Sequence, residues 1–355
     1  MNKVIVLRAL PWGRDTRAER WARLYPKHQP MFGVWGQAQP ELGVHSITQC
    51  VRNPQAKLRI GIAYIWFSLA CFWFVLRHAK KNDVIVFVDL ETILFSWIAA
   101  LLKGARMHYD MADPFYLVKP IPLKSLWKWI ERLFVINVPR VTAPHISRLF
   151  IFTESLLPSM SVIENVPDFP ALPAQPITHT PSNAKLVLGY FGGLEAQHRG
   201  LEKIAQLVLE DEKLLFLVAG SGPLAAYFEG LSQQCERIHF KGPFSAKDLP
   251  SLAEAVDVYI GYYSPEKALH AIAAPNKYYE HLYLGKPLLT SCIIPQAVDI
   301  IQYQTGWCID NDGEALQQWK NDVLTSPPDW KAMAQRCYSL WQQHYAHYYQ
   351  HRYFE

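Results

Sequence analysis

The sequence predicts an α/β protein of two doubly wound domains, each a parallel sheet with helices on both faces. Short apolar runs bounded by turn residues alternate with stretches of helical pattern, which is the habit of βαβ units. Two such series occur, and a proline-rich stretch separates them. The length, 355 residues, exceeds one ordinary core and suits two domains of about 150 residues each.

In the first series, 4–7, 84–88 and 106–109 read as strands, each separated from the next by a helical pattern. Residues 60–76 carry no charge and only Ser68 as a polar break, flanked by Lys57, Arg59, Arg77, Lys80 and Lys81. That run sits at the lower limit for a bilayer span, which takes about 20 apolar residues. A helix covering a parallel sheet is almost as apolar, and the strand at 84–88 follows at once, so a crossover helix is the favoured reading. Residues 119–132 place Lys124, Lys128 and Arg132 on one helical face among Leu126, Trp127, Trp129 and Ile130, a pattern that fits a headgroup layer or a partly buried surface helix equally.

In the second series, 186–191, 214–218, 238–240, 256–260, 287–290 and 306–309 read as strands. Pro167, Pro170, Pro173, Pro176 and Pro181 break every regular pattern between the series. The expected division is a first domain at 1–166, a linker at 167–183, a second domain at 184–329, and an aromatic helical segment at 330–355 that returns to the first domain.

Net charge is +4, but residues 1–180 carry 21 Lys and Arg against 12 Asp and Glu, and the remainder carries 14 against 19. A basic first half suits anionic lipid or a phosphate-bearing ligand. Nucleic acid has only this asymmetry in its favour and is not expected as a partner. Cys50, Cys71, Cys235, Cys292, Cys308 and Cys337 lie far apart, so neither a disulfide framework nor a structural metal is expected. With a strand pattern at 3–7 and no leader pattern before it, the chain reads as cytoplasmic.

Three segments of the second half carry chemistry. A strand runs into Gly192-Gly193, with His198-Arg199-Gly200 before the next helix, so backbone amides and Arg199 suit a diphosphate. Tight turns use glycine pairs as well. Gly220-Ser221-Gly222-Pro223-Leu224-Ala225 has the spacing of a dinucleotide fingerprint. The following strand, however, ends in Lys241-Gly242 where an acid is needed, which argues against a nicotinamide enzyme. The third segment runs Ala274-Pro275-Asn276-Lys277-Tyr278-Tyr279-Glu280-His281-Leu282-Tyr283-Leu284-Gly285-Lys286-Pro287-Leu288-Leu289-Thr290-Ser291.

That last segment resembles the PxKxxEyxxxGKPxxxS pattern of bacterial GT-B glycosyltransferases near family 4, and the preceding motifs fall in that family's order. The resemblance implies the GT-B architecture, two Rossmann-like domains facing across a cleft. It implies transfer of a sugar from a nucleotide diphosphate donor, UDP by family habit, to a lipid-linked or oligosaccharide acceptor in surface polysaccharide assembly, without a metal or other cofactor. Glu280 is expected on the donor ribose hydroxyls, with Lys277 and Arg199 on the diphosphate. Gly192, Gly193, Gly220, Gly222, Tyr263 and Asn276 complete the expected donor site.

On the first half, 83–89 and 106–114 resemble the DVIxxxD and YDxHD/E segments of the same family. Asp113 is the candidate base for the acceptor hydroxyl and Asp110 the reserve, while Arg14 and Arg17 are expected to bind an acceptor phosphate. The sequence departs from the pattern at Ala112, where His is usual, which counts against Asp113 as the base, and at Ile272, where the family's retaining enzymes carry an acid, which leaves both stereochemical courses open. The competing expectation is a catalytically silent nucleotide-sugar-binding scaffold. Asp310-Asn311-Asp312 is read as a turn capping the next helix rather than as a manganese motif. The expected location is the inner face of the cytoplasmic membrane, with peripheral contact through the basic first domain.

Overall fold

The computed structural model describes residues 2–13, 17–48, 57–119, 121–149, 151, 160–169, 185–310 and 313–354. The chain forms two compact units, Met1–Asn165 with Tyr348–Glu355, and Val166–His347. Residues 170–184, most of the expected linker, lie outside the described residues.

The first unit is built on strands β1 (Lys3–Arg8), β2 (Gln29–Trp35), β3 (Val44–Thr48), β4 (Val84–Val88), β5 (Arg106–Asp110), β6 (Arg140–Ala143) and β7 (Met160–Val162). They pair in parallel in the order β3-β2-β1-β4-β5-β6-β7. The continuous apolar runs follow from burial on both faces. Val4, Val6, Val84 and Val86 pack with Trp21, Leu24 and Tyr25 on one side. Ile5, Leu7, Ile85 and Phe87 pack with Phe67, Cys71 and Val75 on the other.

The long apolar helix Lys57–His78 covers the sheet. It is apolar and long enough to cross a bilayer, yet Phe67, Cys71 and Val75 are fully buried in the core. Its Ser68 hydroxyl donates to the carbonyls of Glu91 and Tyr64, at 2.6 and 2.9 Å. Four strands lie outside the sequence expectation. Pro30 and Gly33 interrupt β2, and β3, β6 and β7 are short and lack a long apolar run.

The second unit has β8 (Leu186–Gly193), β9 (Leu214–Ser221), β10 (Ile238–Phe240), β11 (Val258–Gly261), β12 (Leu288–Ser291) and β13 (Gly306–Ile309). Their order is β10-β9-β8-β11-β12-β13, again parallel. Strand order reverses between β1 and β4 in one sheet and between β8 and β11 in the other. The carboxyl ends of strands at such reversals are where open α/β sheets bind ligands.

The segment expected to return whole to the first unit is divided. The helix Trp330–His344 stays in the second unit. There Trp341 meets Tyr283 edge-on at 5.3 Å and Cys337 Sγ approaches His281 Nδ1 at 3.8 Å. Its apolar face is satisfied by the helix Asn276–Leu284. The tail 348–354 belongs to the first unit, where Phe354 stacks on Trp21 and Tyr25 and meets His108 edge-on.

Candidate functional site

Strands β8 and β9 stay in register to their ends, which sets Gly192 opposite Gly220. A Cβ at Gly220 would lie 1.8 Å from the Gly192 carbonyl oxygen, and one at Gly222 would lie 2.6 Å from that of Leu194. Both residues have φ of +151°. Strand-end packing therefore already requires these two glycines. At Gly193, by contrast, a Cβ would meet nothing within 4 Å, so this strand end faces open space.

Directly beside Gly192 is the ammonium of Lys277, 3.3 Å from where a Cβ at 192 would sit. The lysine is buried. Its Nζ donates to the Phe191 carbonyl and to the Tyr259 hydroxyl at 3.3 Å. The rings of Tyr190 and Tyr259 lie 4.3 and 4.8 Å from it. Burial pulls its pKa down to about 8, with Glu280 opposing and Arg199 adding to the fall. Glu280 Oε2 is 3.9 Å away and accepts from the Tyr259 hydroxyl at 2.6 Å. Half-buried, Glu280 keeps Oε1 for other partners.

Arg199 approaches the same strand ends from the loop after β8. Its guanidinium lies 4.5 Å from the Tyr263 ring and its Nε is 3.5 Å from Glu195 Oε2, too far for a well-formed hydrogen bond. Its pKa is raised; burial lowers it, but Tyr263, Tyr190 and Glu195 outweigh that. The Tyr263 amide donates to Ser291 Oγ at 2.9 Å, so the final serine of the third motif sets the position of Tyr263. Asn276 is exposed at the first position of the helix Asn276–Leu284. The arrangement offers two cations, exposed backbone and a carboxylate to a ligand bearing phosphate and hydroxyl groups.

Other motif positions have structural work. Gly285 adopts φ 64° and ψ 29° and ends the helix, its amide bonding to the His281 and Leu282 carbonyls. Asp257 accepts the Val187 amide at 2.8 Å and so ties strand ends together. Tyr190 and Tyr259, which hold Lys277 and Glu280, did not emerge from the sequence. Each lies inside a strand pattern, where an aromatic residue reads as core.

In the first unit, Asp110 is fully buried and its oxygens are committed. It accepts from Arg17 Nε and Nη2 at 2.6 and 2.5 Å, from Trp21 Nε1 at 2.8 Å and from Thr142 Oγ1 at 2.9 Å. Burial would raise its pKa, but Arg17 and Trp21 hold it below the usual range. Arg17, buried with it, also donates to Asn165. This pair, expected to act on a ligand, is turned inward. Arg14 lies outside the described residues.

Asp113 is more open, with 40 % of its side chain exposed, and pairs with buried Arg148 at 3.0 Å. Its amide donates to Asp89 Oδ1 at 2.8 Å. Asp89, the residue that follows β4, was not among the expected site residues. It sits at φ 67° and ψ 163°, a region almost reserved for glycine, and pairs with Arg8 at the end of β1. Burial raises its pKa to about 7 against the pull of Arg8, with Glu91 and Asp113 adding to the rise. Arg8 and Asp89 thus occupy the strand reversal of the first sheet.

Asn311 and Asp312 of the acidic triplet lie outside the described residues. Among the described residues no group of three or more His, Cys, Asp or Glu is placed to hold a metal ion.

Residues 185–343 match the family model described as glycosyl transferases group 1. No curated protein sequence matches the chain. Among solved structures it is similar to Anabaena Alr3699/HepE in complex with UDP and glucose, with TM-score 0.66 and 17% identity over 97% of this chain and 95% of that one. Sucrose-phosphate synthase from Thermosynechococcus elongatus gives TM-score 0.66 and 13% identity over 97% and 96%. S. aureus MnaA with UDP gives 0.58 and 13% over 95% and 91%. The fold class is that of the GT-B enzymes, and the second unit carries the group 1 glycosyltransferase pattern.

Proposed function

We propose that this protein is a glycosyltransferase that takes a sugar from a uridine diphosphate donor and passes it to a lipid-linked or saccharide acceptor in bacterial surface polysaccharide assembly, at the inner face of the cytoplasmic membrane. The observation that carries the reading is the cluster of Lys277, Arg199 and Glu280 at the strand reversal of the second sheet, within the stretch that matches the family model. Two of the similar structures hold UDP.

On this reading Lys277 and Arg199 take the diphosphate and stabilise the charge that grows on it as the glycosidic bond breaks. The Gly193 end of β8 lets the backbone approach the phosphates. Glu280, held through one oxygen by Tyr259, uses the other on the ribose hydroxyls. Asp113 is the carboxylate available to take the acceptor proton, since the oxygens of Asp110 are already committed. No metal is needed for this division of labour.

The test is a thermal-shift and turnover assay with a panel of nucleotide diphosphates and their sugars. One nucleotide should stabilise the wild type and, at the same concentration, stabilise Glu280→Ala clearly less. Asp113→Asn should still bind it but lose turnover. Stabilisation without turnover, in the presence of candidate acceptors, would favour the silent scaffold, and no stabilisation by any nucleotide would overturn the donor site.

A further inference from the structure

The outer layer of the first unit has a property that the donor chemistry does not explain. Three helices, Lys57–His78, Ser96–Lys103 and Lys124–Asn137, send their buried residues into the same core on the same side of the sheet. They lie side by side: the first two pack together, and Trp97 meets Phe134 at 6.1 Å between the second and third.

Their outward sides are apolar. Ile62, Ile65, Trp66 and Trp73 are exposed on the first helix, Ile98, Leu101 and Leu102 on the second, and Leu126, Trp129, Leu133 and Ile136 on the third. Trp66, Trp73 and Leu102 are 68, 67 and 71 % exposed, far from the intermediate values of residues that merely edge a core. Single exposed apolar residues need no explanation, but a contiguous set does.

The charges around this layer have one sign. The helices Lys57–His78 and Ser96–Lys103 contain no Asp or Glu, and the sole acid of Lys124–Asn137 is Glu131, which is fully buried and accepts from the Tyr109 hydroxyl at 2.8 Å. Arg77, Lys124, Lys128 and Arg132 are exposed among the apolar residues. Tryptophan beside lysine and arginine, with acids absent, matches an anionic headgroup layer over acyl chains. A protein partner would not require the tryptophans to be interspersed with one sign of charge.

We infer that this three-helix face docks on an anionic lipid bilayer, with Trp66, Trp73, Leu102 and Trp129 entering the headgroup boundary and Arg77, Lys124, Lys128 and Arg132 meeting lipid phosphates. The helix Lys57–His78 lies along the surface and does not cross it, because its other side is the core of the unit. This docking stands on the first unit alone and does not depend on the donor reading.

The experiment is sedimentation of the full-length protein with vesicles of pure phosphatidylcholine and of phosphatidylcholine with 40 mol% phosphatidylglycerol as the chosen probe, about 40 % anionic lipid being enough for a strongly negative surface. The protein should partition onto the anionic vesicles and be released by high salt. The triple variant Trp66→Ser/Trp73→Ser/Trp129→Ser should lose about tenfold or more in partitioning. Lys128→Glu/Arg132→Glu should lose a comparable amount, while Leu209→Ser/Val298→Ser/Ile301→Ser, exposed apolar positions on the second unit, should bind as the wild type does. Circular dichroism and nucleotide-independent melting establish that each variant is folded. Absence of binding to either vesicle, equal binding to both, or binding untouched by the two face variants would overturn the inference. So would concentration-dependent self-association that the tryptophan variant abolishes in the absence of lipid, since the face would then belong to a second copy of the chain.

Discussion

The two sheets reverse strand order in the same way and place charged side chains at the reversal, yet they treat those charges differently. In the first unit Arg8 meets Asp89, Arg17 meets Asp110 and Arg148 meets Asp113. Each cation has an acid of its own. In the second unit the acids stand farther off, Glu280 3.9 Å from Lys277 and Glu195 3.5 Å from Arg199, and aromatic rings fill the remaining coordination. A buried cation with only distant acids is costly without a ligand and favourable with an anion, which is what the proposed diphosphate site needs. The first, with its matched pairs, holds its own strand ends in place, and Asp113, 40 % exposed beside Arg148, is the most open of the three acids.

The strongest way to break this contrast is to unmatch a pair in the first unit. Asp110→Ala should destabilise the protein by about 3–5 kcal/mol, because it strands the buried Arg17 guanidinium. Denaturant unfolding with the donor absent measures this, and unchanged stability would mean that Asp110 is not structural.

Next in size is Lys277→Met. It should lower kcat/KM by about 100-fold while leaving the melting temperature of the ligand-free protein at or above that of the wild type. A clear loss of stability would place Lys277 with the matched pairs of the first unit. Glu280→Ala should weaken UDP by about tenfold, the loss of a hydrogen bond to a charged group. Its affinity for inorganic pyrophosphate should not change; if both weaken equally, Glu280 acts on Lys277 and not on the ribose.

The smallest effect is on pH dependence. Burial lowers Lys277 to about 8, so nucleotide affinity should fall as pH rises from 7 to 9 while the ammonium loses its proton. Lys277→Arg should flatten that fall. The sign for stability is opposite: the folded pKa is below that of the unfolded chain, so the Lys277 contribution to ligand-free stability rises with pH above about 8. A melting series of wild type against Lys277→Met across that range measures the difference.

Much of the second unit is legible because its motifs are local. A strand, two glycines, a basic residue and a helix with Lys277 and Glu280 one turn apart all lie within short windows, where spacing sets geometry. The first unit is harder. β2 carries Pro30 and Gly33, and β6 and β7 are too short to show a period. Its pairs join Arg8 to Asp89 and Arg17 to Asp110, 81 and 93 residues apart. No local pattern separates an arginine that faces a ligand from one that faces a buried aspartate.

By itself, then, the sequence determined the parallel α/β class and the glycine turns, because hydrophobic periodicity and turn chemistry are properties of neighbours along the chain, and its resemblance to the GT-B pattern singled out Lys277 and Glu280. Tertiary structure alone decided that Arg17 and Asp110 are partners and that Asp89 is held in a glycine-like conformation at the first reversal. It also decided that Trp66, Leu102 and Trp129, from three separate helices, lie on one side of the first unit. Those facts depend on which distant segments the sheet brings together, and the energy of a buried charge or an exposed ring is set by its surroundings in space.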